Sequence, residues 1–148
     1  MKKSFWLGVD PDARTHFYQY PQISKLRPFT RSLKVKISMQ SIIGKTVRGI
    51  IDRPIGTCHP RYPDLVYSIN YGYVEGVIAG DGQEQDAYVF GSDKPLEAFE
   101  GKVIAIYHRF NDNENKWIVS LDGSDYSDEE ILKAIHFQER FFEGELIR

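Results

Sequence analysis

Apolar and polar residues alternate along "LKVKIS" (Leu33–Ser38), the period of a strand with one buried face. "TVRGII" from Thr46 predicts a second strand. Four short runs follow: "VYSIN" (Val66–Asn70), "AYVFG" (Ala87–Gly91), "KVIAIYHR" (Lys102–Arg109) and "KWIVS" (Lys116–Ser120). Turn-rich segments separate them, "DRPIGTCHPRYPD", "GDGQEQ" and "NDNEN". Short strands at this spacing predict a sandwich or a small barrel rather than alternating βαβ units. The period then becomes helical. Ser127 as N-cap, with Glu130 three residues later, forms a capping box. Ile131, Ile135, Gln138 and Phe142, joined by Leu132, make one mostly apolar stripe, and Gly144 is placed to end the helix. Residues 1–30 show no clear period and hold Pro11, Pro21 and Pro28 among aromatics such as Phe5, Trp6, Tyr18 and Tyr20. They read as an extended arm packed on the domain or on a partner, or as a regulatory tail. The expected organisation is this arm over 1–30 and one mainly β domain over 31–148, closed by one helix.

Composition narrows the function classes. A chain of 148 residues suits one domain with a real core. With 41% apolar residues and a net charge of −2, it lacks the signature of disorder. That charge gives no strong field toward nucleic acid or anionic lipid, and neither is expected as a partner. Lys34 and Lys36 share one strand face and read as solvated. Cys58 is the only cysteine, which excludes an intrachain disulfide framework and a cysteine-built zinc site. It stands beside His59, but nucleophile and base usually come from distant parts of a chain, so it reads as an incidental thiol. Met1–Leu7 begins like a signal peptide yet lacks the apolar h-region. No stretch approaches the roughly 18 apolar residues of a spanning helix. A soluble, cytoplasmic protein is expected, with a homo-oligomer left open.

Four stretches carry chemistry. "GDGQEQDAYV" sets Asp81, Glu84 and Asp86 within six residues, and Gly82 permits a tight or left-handed turn. Carboxylates brought together repel one another, and a hard cation relieves that repulsion; such oxygen ligands suit Mg²⁺ or Mn²⁺. A charged loop between two strands is the plainer alternative, and the spacing does not fit an EF-hand. Arg53 ends a predicted strand, and its guanidinium can fork a phosphate. Tyr71 and Tyr73 flank Gly72, so both phenols leave one side of an extended segment; core aromatics beside a glycine would look the same. "NDNENK" adds Asp112, Glu114 and Lys116, a metal and phosphate edge or an ordinary polar hairpin. On the helix, His136 and Glu139 share a face with Arg140, as a His-x-x-Glu metal pair or a surface network.

Taken in order, these stretches resemble the soluble inorganic pyrophosphatases. "IDRP" is similar to that family's V-D-R segment, "SINYGYV" to its P-x-N-Y-G-Y-I segment, "GDGQEQDAYV" to its D-G-D-P-x-D signature and "LKAIHFQERFFE" to its C-terminal helix. The similarity covers roughly residues 44–143. Short bacterial proteins of the superfamily carry D-G-E-E-Q-D and H-F-Q-E segments, and the chain resembles these in particular. The resemblance implies an α+β, mainly β fold: a small closed barrel of five to six strands, OB-like, with one C-terminal α-helix. It implies Mg²⁺-dependent hydrolysis of pyrophosphate by metal-activated water. Asp81, Asp86 and Glu114 would hold metal, Arg53, Tyr71 and Lys116 would hold phosphate, and Asp81 and Glu84 would serve catalysis. The pattern also departs. The signature's water-activating Asp is Gln83, whose amide cannot accept a proton. The helix Tyr-Lys pair that grips the distal phosphate is Phe141-Phe142. These departures leave two alternatives, a phosphohydrolase acting on a nucleotide or other organic phosphate with Phe141 and Phe142 stacked on it, and a barrel without chemistry serving as a binding module.

Overall fold

The computed structural model describes residues 39–111 and 114–148. The arm and the Leu33 strand lie outside the described residues. Six strands and one helix follow in the order β1 (Thr46–Arg53), β2 (Asn70–Ile78), β3 (Glu84–Phe90), β4 (Ala98–Arg109), β5 (Asn115–Ser120), α1 (Asp128–Glu139) and β6 (Gly144–Ile147). Pairing runs β1-β2-β3-β5-β4 and returns from β4 to β1, closing a five-stranded barrel. Only β3 and β5 are parallel; the other pairs are antiparallel. β4, at 12 residues, is long enough for two partners on one edge. Its first half pairs with β1 and its last residues pair with β6, outside the ring.

Side chains sort onto two layers because strand residues alternate. Ile51, Val74, Ala87, Val89, Phe99, Val103 and Val119 pack together as the barrel interior. The opposite face carries Tyr71, Tyr88, Phe90 and Ile118, and α1 covers it with Ile131 and Ile135. Ser127 caps α1 as expected: its Oγ accepts the Glu130 N–H at 3.1 Å while Glu130 Oε1 accepts the Ser127 N–H at 2.9 Å.

Three local expectations change. "VYSIN" is not a strand. Its Val66 makes an isolated bridge with Cys58, and the strand begins at Asn70. The backbone before Asn70 turns back on itself instead, with the Tyr67 N–H on Thr57 O and the His59 N–H on Leu65 O, each at 2.9 Å. Gly144 does not end the helix, which stops at Glu139 with Arg140 as its cap. It opens β6, where a Cβ would lie 2.4 Å from His108 O, so glycine is needed for close approach to β4. Leu132 is 42% exposed and stands off the stripe, whose buried members are Ile131, Ile135, Gln138 and Glu139.

Asn70 holds the loops in place. Its buried Oδ1 accepts the Ile55 N–H at 3.1 Å and the Leu96 N–H at 3.2 Å, and its Nδ2 donates to Lys94 O at 2.9 Å. The β1–β2 loop is thereby tied to the β3–β4 loop. Asn70→Ala removes all three bonds at a site closed to water and should cost about 3 kcal/mol. Urea denaturation checks this; a loss within error of zero would show that the loops hold without it.

Candidate functional site

The sequence-predicted residues gather on the face of the sheet toward α1. Gly82, at φ +84°, closes the turn before β3. Asp81 Oδ1 accepts the Gln83 N–H at 2.9 Å, which orients the Asp81 carboxylate. Asp86 follows on β3 and Lys116 on β5. The Lys116 ammonium donates to Asp86 Oδ2 at 2.5 Å and to Glu114 Oε1 at 2.9 Å, and its side chain is 0% exposed. Glu114 is in turn near enough to Asp81 for each carboxyl to shift the other's titration. Two of the three acids expected to bind metal, Asp86 and Glu114, therefore meet on an ammonium, with Asp81 beside Glu114 in the turn. Among the described residues no three Asp, Glu, His or Cys side chains form a ready metal cage.

Arg53 and Tyr71 complete the cluster. A bulge between Ile51 and Arg53 breaks the β1–β2 register, so Ile51 faces the barrel interior while Arg53 reaches the outer layer. There its Nη1 donates to Tyr67 OH at 2.7 Å. Arg53 and Tyr71 are paired across the strands, and the Lys116 ammonium lies 5.8 Å from the Tyr71 ring centre. Glu84 begins β3 two residues before Asp86, and so shares its face. Gln83 stands half-buried in the turn itself, with its backbone amide committed to Asp81.

Charges in the cluster are mutually adjusted. Burial pushes the Glu114 carboxyl up to about 7; Lys116 opposes this, while the hydrogen bond with Asp81 and the charge of Asp86 reinforce it. Partial burial works against ionisation of Asp81, but Glu114 and the Gln83 amide outweigh it and hold Asp81 below the usual range. Glu114 thus ionises less readily than Asp81. Burial, helped by Asp86, drives the Tyr71 phenol well above its ordinary value, so it stays a neutral donor.

The helix residues divide differently from expectation. His136 is exposed and Glu139 buried, so they make no metal pair. Glu139 instead takes both Arg109 Nε and Arg109 Nη2 at 2.8 Å, and Tyr88 OH donates to its Oε2 at 2.5 Å. Phe142 lies against Arg109, its ring centre 3.5 Å from the guanidinium carbon, and Phe141 lies beside Arg140. Sequence reasoning missed this network. Its signal is a charged residue on an apolar element: Arg109 ends "KVIAIYHR", and Glu139 follows the stripe residue Gln138.

The barrel is similar to several solved structures. These include an inorganic pyrophosphatase from Ehrlichia chaffeensis, at 18% identity over 70% of this chain and 85% of that chain, with a TM-score of 0.55. One from Neisseria gonorrhoeae matches at 18% over 64% and 71%, with a TM-score of 0.52. One from Thermus thermophilus matches at 21% over 65% and 72%, with a TM-score of 0.50. No family model and no curated protein sequence matches the chain. At this identity the likeness establishes the pyrophosphatase-type fold, and chemistry has to be argued from the site.

Two measurements probe the site without assuming a reaction. Lys116→Met leaves Asp86 and Glu114 buried without their cation and should cost about 3–5 kcal/mol; calorimetry showing an unchanged melting temperature would refute the pairing. His59 is buried, and its imidazole is lowered to about 4 by that burial, by Arg53 and by Arg61. The unfolded chain then binds the proton more readily, so this contribution to stability is complete above pH 6.5 and is lost as pH falls toward 4. The wild type should lose more stability than His59→Gln across that window, by up to about 1.4 kcal/mol per pH unit. Parallel curves for the two proteins would contradict it.

Proposed function

We propose that the chain hydrolyses inorganic pyrophosphate to phosphate with Mg²⁺, Mn²⁺ being an acceptable substitute. The observation that carries this reading is the acid–lysine cluster of Asp81, Asp86, Glu114 and Lys116, flanked by Arg53 and Tyr71. It stands on a barrel of the pyrophosphatase type.

The donor set fits a divalent cation. Asp81 and Glu114 are neighbours whose carboxyls shift each other's titration, and Mg²⁺ typically takes one or two carboxylates, keeps several waters and gains further ligands from phosphate oxygens. Asp81 and Glu114 would hold the ion, with Asp86 as a third acid once Lys116 turns to substrate. When bound, the ion supplies an acidified water and screens phosphoryl charge. The remaining work belongs to the side chains. Arg53 and Lys116 offer donors to phosphoryl oxygens, and their value grows as charge builds in the transition state. Tyr71 contributes a neutral phenol to the wall of the site. Gln83 orients but cannot accept a proton. Glu84, half-buried at the start of β3, is the proton acceptor in this reading. Such a protein acts on a small phosphate substrate and needs neither nucleic acid nor a membrane. Among the described residues no helix is long and apolar enough to cross one.

The test is phosphate release from pyrophosphate by purified protein. Release should require Mg²⁺ or Mn²⁺ and stop on chelation. Asp81→Asn should lower it on the order of 100-fold or more, as loss of one electrostatic group in a site commonly does. No release above background, with Mg²⁺ shown to bind, would sink the proposal. Release from a nucleotide but not from pyrophosphate would replace the substrate and keep the chemistry.

A further inference from the structure

Four aromatic rings form a frame between the helix and the candidate site. Tyr67 and Tyr71 stand 5.6 Å apart, Tyr71 and Tyr88 5.1 Å, Tyr67 and Phe137 5.3 Å, and Tyr88 and Phe137 6.4 Å. Two members touch the cations of the site. Tyr67 OH accepts from Arg53 at 2.7 Å, and the Tyr71 ring flanks the Lys116 ammonium at 5.8 Å. A third is anchored elsewhere. The Tyr88 hydroxyl donates to Glu139 Oε2 at 2.5 Å and accepts from Gln138 Nε2 at 2.6 Å. Glu139 is itself held by two bonds from Arg109, whose side chain is 0% exposed.

We infer that Glu139 is a positioning residue, which acts through the Tyr88 hydroxyl and the aromatic frame to hold Lys116 and Arg53 in place. The physical reason is rigidity. An edge-to-face ring contact fixes orientation only if the rings themselves cannot slide. Tyr88 is pinned at its far end by two hydrogen bonds, one of them to an ionised carboxylate, which is the stronger kind. Arg109 in turn fixes that carboxylate in two dimensions through a forked pair. The route runs through the interior: Tyr88, Tyr71 and Lys116 are buried, as are Gln138 and Glu139, and only Phe137 of the frame is partly exposed. The bidentate pair on the helix is thus the far end of a strut, and the two cations are its near end. As an account of catalysis the inference rests on the pyrophosphatase reading; as an account of Lys116 it does not.

Two readouts separate these. The first is acetylation of the Lys116 amine in the folded protein, read by mass spectrometry of its peptide. Glu139→Gln and Tyr88→Phe should each raise the rate on the order of tenfold, to similar extents, because both free the same strut. Their double variant should go no further, since two changes on one route are not additive. Ile135→Val, a core variant outside the route, should leave the rate unchanged. The second readout is kcat/KM for pyrophosphate with Mg²⁺, expected to fall about tenfold in both single variants and no further in the double. Unchanged acetylation in Tyr88→Phe would overturn the inference, and so would an equal rise in Ile135→Val. If Glu139→Gln does not fold, Tyr88→Phe, which keeps the Arg109 pair, decides alone. A wild type that releases no phosphate while Lys116 labelling follows the expected pattern would sink the proposed reaction and leave the strut standing.

Discussion

Lys116 carries its charge where no water reaches it, and much of the outer layer is arranged around that fact. An ammonium taken out of water costs several kcal/mol unless close partners replace its hydration. Asp86 and Glu114 do so at 2.5 and 2.9 Å. They arrive from different directions, Asp86 from β3 and Glu114 from the residue just before β5. Because β3 and β5 are parallel neighbours, the ammonium joins strands far apart in the chain. Truncating either end would leave the other charge buried and unpaired, a worse state than having neither. A shifted register of the sheet would carry that penalty, whatever the net contribution of the intact pair to stability.

The same logic recurs on the helix. Arg109 ends β4, Glu139 ends α1, and neither is accessible. Their forked contact, closed over by Phe142, fixes where the helix ends on the sheet. Between the two buried ion pairs lie Tyr88 and Tyr71, so the layer is polar at both ends and aromatic between. The backbone irregularities serve this layout. The bulge at Asp52 turns Arg53 from the barrel interior toward Tyr67. Asn70 gathers two loops that would otherwise be free to move past the site.

What the cluster lacks matters as much as what it holds. Asp81, Asp86 and Glu114 could carry three negative charges near the single ammonium of Lys116, and burial raises the Glu114 carboxyl to about 7. A divalent cation would supply the remainder. Arg109 is committed to Glu139, and Phe141 and Phe142 pack against arginines rather than facing a phosphate. Among the described residues, Arg53 and Lys116 are the cations assigned to the proposed reaction, and anything that holds them in position acts on it.

Local signals determined the elements that rest on local physics. The capping box, the helical stripe, four of the strands and the glycine turn before β3 each follow from short-range periodicity or from one residue's conformational freedom. The D-G-x-x-x-D spacing, with Arg53, Tyr71 and Lys116, was enough to mark the residues that would gather. Other outcomes needed the folded chain. "VYSIN" has strand composition, yet its hydrogen bonds go to its own loop, because Tyr67 and Ile69 fill the layer under the helix. Gly144 resembles a helix stop, but close approach of β4 claims it for β6. Glu139 and His136 share a helical spacing and differ completely in environment, because only the tertiary packing puts Arg109 against one of them. The sequence by itself determined which residues can carry charge into the site. Only the tertiary structure decided which charges neutralise one another, since pairing in a buried layer depends on distances between strands and a helix that no local pattern encodes.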